Sequence, residues 1–320
     1  MKLGKLFKKA IEVGIKHDPR GKETVTKQLE ATAKKYESMK GFHKEFFDTQ
    51  MLTNPYSDSR VLNGDPETDI QAIMVGIDMD PGELVLADHL RKSGKPLDLV
   101  WAHHPSGRAL AALHDVMKMQ ADIHAELGIP ISAAEALIDE RFKEIERRLM
   151  PGNHTRATDA AKLLNIPFMC THTPSDNMVA VFLQKMLDEK KPYLLSDVIE
   201  LLMEIPEYRN HAAMSGQLPA IFVGAKDRKA GRIFVDMTGG TSGNKKVYAR
   251  LATSGVNTIV GMHMGDDHRK EAREHHVNVV IAGHIASDVL GMNLLIDALQ
   301  KANRKKFIVH EASGFKRVQR

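Results

Sequence analysis

The stretch that decides the fold is IQAIMVGIDMDPGELVLADHLRKSGKPLDLVWAHHPSG, residues 70–107. Its apolar first part has the pattern of a buried strand, and the residues from Pro81 onward are typical of a helix. Asp80 is a good N-cap, Pro81 suits the first helical position, and Glu83 completes a capping-box pattern. A second apolar run, PLDLVWA, then predicts another strand. Strand, helix and strand in this order predict a βαβ unit and a sheet that is at least partly parallel.

Two adjacent histidines, His103 and His104, follow the second strand directly. Neighbouring side chains on a regular strand point to opposite faces of the sheet. Adjacent imidazoles at this position therefore make sense only if the strand has ended and both rings face a cleft. In parallel sheets, functional groups collect at the carboxyl ends of the strands. The sequence thus predicts a functional site where this strand ends.

Composition excludes several classes of protein. The 320 residues carry a formal net charge of only +4, and the basic residues are dispersed, so nucleic-acid binding is the least expected function. No apolar run approaches the ~18 residues of a membrane span. A single cysteine, Cys170, leaves no disulfide within the chain and predicts a reducing compartment. We therefore expect a cytoplasmic protein, and its 16 histidines, clustered near strand ends, indicate metal or acid–base chemistry.

The rest of the chain suggests an α/β protein with mixed or partly parallel sheets and a helical extension. The extension begins with a basic amphipathic helix, whose apolar stripe either docks on its own protein or lies on a membrane surface. A second series of strands and helices follows residue 218. The expected units are an N-terminal helical extension, residues 1–50; a first α/β lobe, 51–185, with a helical insert near 110–160; a helical insert, 186–220; and a second α/β lobe, 221–320.

Two further strand ends carry a histidine followed four residues later by an aspartate. FMCTHTPSD contains His172 and Asp176, and VVIAGHIASDVLG contains His284 and Asp288. A spacing of four on a helical turn places two side chains on one face. Imidazole nitrogens and carboxylate oxygens suit Zn, Mn, Fe, Co or Ni, and the lack of cysteine ligands argues against a thiolate zinc site. With the histidine pair, this set could hold two ions ~3.5–4 Å apart.

Other features near strand ends leave more than one interpretation open. His172 is a candidate for proton transfer or a purely structural residue. His263, in GMHMGDDH, could reach the same cleft and is the second catalytic candidate. The glycine-rich TGGTSGN, residues 238–244, is either a tight turn or a backbone cradle for a phosphate.

The segments GIDMDPGELVLADHLR, VWAHHPSG, THTPSD and AGHIASDVLG together resemble the Nif-three-like dinuclear-metal proteins, often described as GTP cyclohydrolase I type 2 homologues. The resemblance covers about residues 50–185 and 220–300. It implies two related α/β lobes around a metal pair and ring-shaped homo-oligomers, often hexamers. Asp288 stands where the family typically has Glu. The ligands that the resemblance implies are His103, His104, Asp176, His284 and Asp288.

The leading hypothesis is a metal-dependent hydrolase that uses two divalent ions to activate water. The substrate would be a small phosphorylated or nucleotide-like molecule, with His172 or His263 moving protons. The rival is a non-catalytic, metal-binding oligomeric protein with a regulatory or scaffold role. Whether the protein is an enzyme stays open at this point, because metal ligands alone do not distinguish the two hypotheses.

Overall fold

The computed structural model describes all 320 residues and contains two mixed sheets. The strands are β1 (Ser59–Asn63), β2 (Ala72–Gly76), β3 (Leu99–Ala102), β4 (Phe168–Thr171), β5 (Ala220–Val223), β6 (Ile233–Asp236), β7 (Thr258–Gly261), β8 (Asn278–Ile281) and β9 (Ile308–Glu311). The helices of the first half are α1 (Leu3–Lys16), α2 (Gly21–Ser38), α3 (Phe42–Glu45), a 3-10 turn (Thr49–Leu52), α4 (Pro81–Lys92), α5 (Gly107–Ala111), α6 (Leu113–Val116), α7 (Met119–Glu126), α8 (Ile131–Leu149) and α9 (Arg156–Leu163). Those of the second half are α10 (Thr173–Lys190), α11 (Leu195–Met203), α12 (Pro206–Ser215), α13 (Val247–Thr253), α14 (Asp266–Glu274) and α15 (His284–Asn303).

The first sheet contains the predicted βαβ unit. Its strand order is β1-β4-β3-β2-β9, with β1 antiparallel to β4 and the other neighbours parallel. Strands β2 and β3 are joined by α4, at whose start the backbone N–H of Asp80 donates to Glu83 Oε2 at 3.0 Å. Strand β3 ends at Ala102, so the histidine pair follows a completed strand, as predicted.

The second sheet repeats the arrangement of the first. Its order is β5-β8-β7-β6, with β5 antiparallel to β8 and the remaining neighbours parallel. The order β1-β4-β3-β2 in the first sheet corresponds to it strand by strand. The prediction of an α/β fold with mixed sheets in two related lobes is therefore confirmed.

Helices α10 and α15 pack against each other between the sheets. Each begins directly after a parallel strand, α10 after β4 and α15 after β8. Gly291 makes their close approach feasible, because a Cβ added there would lie 2.5 Å from the backbone oxygen of Ser175. Asp176 is the fourth residue of α10 and Asp288 is the fifth residue of α15, so this packing brings the two carboxylates together.

The basic amphipathic helix α1 docks on its own protein. Leu3 and Leu6 are fully buried in a core that includes residues of β2, β3 and α15. Gly14 lies against Pro174 at the start of α10, where an added Cβ would come within 2.8 Å of the proline side chain. No helix of the protein combines the length and the apolar character needed to cross a bilayer.

The C-terminal strand departs from the expected division of the chain. Residues 221–320 were expected to form the second lobe, yet β9 pairs in parallel with β2 of the first sheet. The reason is that the long helix α15 carries the chain back from the second sheet to the first. The segment 186–220 contains α11 and α12, whose apolar faces pack against the second sheet and α10.

Candidate metal centre

His103 and His104 turn towards the same pair of aspartates beyond the end of β3. His103 is fully buried, and its Nε2 lies 3.4 Å from both Asp176 Oδ1 and Asp288 Oδ1. His104 Nε2 lies 3.3 Å from Asp288 Oδ2, and its Nδ1 bonds Asp78 Oδ1 at 2.7 Å. The adjacent imidazoles thus face one cleft, although they are consecutive in the chain.

Asp288 is shared by two groups of donor atoms. His284 Nε2 lies 3.5 Å from Asp288 Oδ2, the oxygen that also faces His104. Asp288 Oδ1 faces His103 instead. Asp288 therefore belongs to two trios whose ligand atoms lie within 4.8 Å of one another: His103, Asp176 and Asp288; and His104, His284 and Asp288.

The donor atoms of this cluster lack the partners that buried polar atoms ordinarily have. Both ring nitrogens of His103, Oδ1 of Asp176 and both carboxylate oxygens of Asp288 are buried without a hydrogen-bond partner. Such atoms are costly unless something else satisfies them. Ligands that each lie about 2.0–2.2 Å from an ion in tetrahedral geometry are about 3.3–3.6 Å from one another. The separations of 3.3–3.5 Å seen here match that spacing, so the residues fit divalent ions.

Ionisation in the cluster is strongly displaced by burial and by the neighbouring charges. Burial lowers the pKa of His103 to about 4 and raises the pKa of Asp176 to about 8. Burial opposes the charged form of His104 as well, yet Asp288 and Asp78 raise its pKa to about 10. Burial also works against ionisation of Asp288, but the surrounding imidazoles hold its pKa well below the usual value. Near neutral pH, Asp288 is therefore ionised, whereas His103 and Asp176 are neutral.

Asp58, a residue that the sequence analysis missed, contacts the ring nitrogen of His172 that faces away from the donor cluster. His172 Nδ1 lies 2.9 Å from Asp58 Oδ2, which also accepts a 2.6 Å bond from Thr173 Oγ1. Its Nε2 lies 3.8 Å from Asp176 Oδ2, and it forms a third donor group with the histidine pair. Burial opposes protonation of His172, but Asp176 and Asp58 raise its pKa. Asp58 is 114 positions away in the chain, so no local motif could have indicated it.

His263 lies at the edge of the same cleft. Its ring centroid is 4.9 Å from that of His284, and it belongs to none of the donor groups. Burial lowers its pKa. The structure thus brings all seven candidate residues of the sequence analysis into one region, and it adds Asp58 and Asp78. For Asp78, the only signal in the sequence is the DxD-like pattern that it forms with Asp80.

The glycine-rich segment 238–244 lines this cleft opposite the donor cluster, around a space of about 80 Å³. The side-chain amide of Gln120 holds the segment in place by donating to the backbone oxygens of Gly239 and Thr241, both at 2.7 Å. The backbone N–H groups of Gly240, Ser242 and Gly243 donate to no protein acceptor. Residues that line the cleft of the candidate metal ligands therefore include three whose N–H groups have no acceptor in the protein.

Comparison with known proteins supports the resemblance. No protein-family model and no curated protein matches the chain. Among solved structures, a NIF3 superfamily protein from Sphaerobacter thermophilus is similar over 81% of this chain and 91% of its own, with 29% identity and a TM-score of 0.67. Reduced HcgD from Methanocaldococcus jannaschii matches over 78% of this chain and 87% of its own, with 13% identity and a TM-score of 0.46. A Bacillus cereus protein related to NIF3 matches over 91% and 96%, with 11% identity and a TM-score of 0.40.

Proposed function

The chain is a member of the NIF3-like family, and from that premise we propose that it is a hydrolase with a dinuclear metal centre acting on a small phosphorylated molecule. The observation that carries the proposal is the set of buried, unpartnered donor atoms on His103, Asp176 and Asp288. Hydrogen-bonded structural residues would not leave these atoms unsatisfied.

The proposed ligands are divided between two ions by the shared carboxylate. His103, Asp176 and Asp288 would hold one ion, and His104, His284 and Asp288 would hold the other, with a different oxygen of Asp288 facing each group. Asp288 stands in place of the family's Glu, and although its side chain is shorter, its two oxygens face His103 on one side and His104 with His284 on the other. The identity of the metal is left to measurement, among Zn, Mn, Fe, Co and Ni.

Bound divalent ions lower the pKa of water and polarise phosphoryl or carbonyl oxygens. The protein itself would supply the proton transfers. Because Asp58 occupies Nδ1 of His172, its Nε2 is free to accept a proton from the attacking water, and Asp58 would stabilise the resulting imidazolium. His172 would then return this proton to the leaving group as its bond to the substrate breaks. His263, at the cleft edge and with its pKa lowered by burial, would be a neutral group that relays protons.

A phosphate on the substrate is supported by the segment 238–244. Residues of this segment line the cleft that the donor cluster also borders, three of their N–H groups have no protein acceptor, and backbone N–H groups of this kind bind anionic oxygens. Binding there would hold the substrate next to the ions. Cyclohydrolase activity, the label carried by the family resemblance, would be one form of such hydrolysis.

Metal stoichiometry tests the centre. We expect two ions per chain in protein purified without chelator and supplemented with metal. His284→Ala should retain about one ion, and Asp288→Asn, which lacks the shared carboxylate, should retain none tightly. His43→Ala, at an exposed position on α3, is the matched control and should retain both. Fewer than one ion per chain in the unmodified protein would overturn the proposal.

Turnover on a panel of nucleotides and phosphomonoesters then separates the hydrolase from its rival. We expect metal-dependent product release that His104→Ala abolishes and His43→Ala leaves unchanged. Stoichiometric metal without turnover on the panel would favour the non-catalytic regulatory or scaffold protein instead.

A homo-oligomer is part of the same proposal, because the family resemblance implies a ring, often a hexamer. The solution mass of the metal-loaded protein measures it directly. A mass six times that of one chain is expected, and a monomer would contradict it.

A further inference from the structure

A second cavity, of about 410 Å³, adjoins the cleft of the candidate metal centre. It lies between α10, α7 and β6, and mostly apolar surface lines it. The two spaces share part of their walls, so a molecule in the larger cavity could extend into the cleft. The residues lining both are Gln120, His124, Asp236, Met237 and Thr238. A volume of this order suits the body of a small ligand.

Asp236 is the charged group at the junction of the two spaces. It is the last residue of β6, so it lies at the same sheet edge as the histidines that follow β7 and β8. Its carboxylate makes no hydrogen bond and no ion pair with any side chain or backbone group of the protein. Its surface is accessible to solvent, and burial of its surroundings raises its pKa to about 6.

No cation of the protein compensates Asp236. His124, the nearest basic group on the shared wall, has its pKa lowered to about 4 by burial, so it is neutral at physiological pH. Lys185, at the outer part of the cavity, pairs with Glu189 at 3.8 Å. Asp188, also at the outer part, accepts a 3.0 Å bond from Gln184. The cavity is therefore net negative, with one carboxylate free.

A free carboxylate on an apolar wall is complementary to a ligand edge that offers two adjacent N–H donors, because the two oxygens accept them in parallel. Aromatic and aliphatic neighbours, among them Phe234, Ile123 and Met237, would contact the flat body of such a ligand. Phosphate or another anion would be repelled here, in contrast to the segment 238–244.

We propose that Asp236 is the specificity residue of a substrate subsite that binds an amidine-like or 2-amino-heterocyclic group. This proposal rests on the proposed hydrolase function, because the ligand is a substrate only if the protein is a hydrolase. Binding of the ligand at Asp236 does not itself require metal. The resulting substrate class is a phosphorylated molecule with a planar, N–H-donating body. Its phosphate would lie at the glycine-rich segment and its donor edge at Asp236.

Benzamidine and its neutral isostere benzamide are the probes, and binding is measured by calorimetry at pH 8 on the full chain, with and without chelator. We expect benzamidine to bind at least tenfold more tightly than benzamide in both conditions. Asp236→Asn should remove this preference, and Asp188→Asn, in the same cavity but hydrogen-bonded, should leave it within twofold. Equal affinities for the two probes in the unmodified protein, or a preference that survives in Asp236→Asn, would overturn the proposal.

The two proposals fail separately. Asp236→Asn should still bind two ions per chain, because Asp236 belongs to no donor group. If the protein prefers benzamidine but binds no metal, the subsite proposal stands and the hydrolase proposal fails. If it binds two ions but shows no preference for benzamidine over benzamide, the metal centre stands and the subsite proposal fails.

Discussion

Asp58 and His172 form a buried pair whose geometry fixes the proton on one ring nitrogen. Asp58 is ionised in this arrangement, because bonds from His172 and Thr173 outweigh the effect of burial and hold its pKa below the usual value. An ionised carboxylate can only accept, so His172 Nδ1 must carry the hydrogen. The opposite nitrogen is thereby directed to the donor cluster.

Asp58→Ala is expected to release this tautomer. Nitrogen-15 NMR of the metal-free protein should show His172 protonated at Nδ1 in the unmodified protein and a mixture of tautomers in the variant. Loss of the buried bonds to a charged acceptor should also lower the free energy of unfolding by at least about 2 kcal/mol. Asp227→Ala, at an exposed position, is the control. An unchanged His172 spectrum in Asp58→Ala would show that Asp58 does not set the tautomer.

Replacement of Asp236 is expected to stabilise the protein, whereas replacement of Asp58 is expected to destabilise it, because no cation of the protein pairs with the charge of Asp236. Its pKa is about 6 in the folded protein and about 3.9 in an unfolded chain, so the folded state binds more protons between these values. The carboxylate therefore destabilises the fold above pH 6 and has no such effect below pH 4. Because Asp236 is exposed, solvent screens most of this effect, and Asp236→Asn should raise Tm by no more than about 1 °C at pH 8, with no change at pH 4. A Tm that falls at pH 8 would contradict this sign.

The sequence could indicate residues that belong to local motifs, and no others. His103, His104 and the two His–Asp pairs were predictable because each follows an apolar strand within a short motif. Asp58 and Asp236 were not, because their significance depends on partners or cavities made by distant segments. Asp58 contacts His172, which is 114 positions away in the chain, and Asp236 lines a cavity in which it has no hydrogen-bond partner.

At the scale of secondary-structure elements, the sequence likewise predicted only those strands that have a local apolar pattern. The parallel strands β2, β3, β7 and β8 are buried along their whole length, and their apolar runs predicted them. The edge strand β9 has only exposed and half-buried residues, so its sequence lacks that pattern and its place in the first sheet could not be predicted.

The contact between α10 and α15 sets the separation of Asp176 and Asp288. Gly291→Ala would place a Cβ 2.5 Å from the backbone oxygen of Ser175, so the helices must move apart. We expect a loss of about 1–3 kcal/mol in the free energy of unfolding, together with weaker metal binding measured by calorimetry. Gly82→Ala in α4, where no atom lies within 4 Å of the added Cβ, should lower neither the free energy of unfolding nor the metal affinity. Metal affinity that is unaffected by Gly291→Ala would show that the donor spacing does not depend on this contact.

At the scale of the whole molecule, the candidate metal centre joins the two α/β halves of the protein. The histidine pair follows β3 in the first sheet, and His284 and Asp288 follow β8 in the second. The repeated strand order brings equivalent strand ends face to face, so donors from both halves meet at one place. Neither half alone contains a complete trio that includes Asp288.

This arrangement predicts that metal removal loosens the association of the two halves. Ions that bind only the folded state stabilise it by about 2.7 kcal/mol when their free concentration is a hundred times Kd. Addition of a chelator should therefore lower Tm of the unmodified protein and of His43→Ala by the same amount. Asp288→Asn should show no chelator effect, because the carboxylate common to both trios is gone. Calorimetric melting with and without chelator measures the difference, and an equal decrease in Asp288→Asn would mean that the stabilising ions bind elsewhere in the protein.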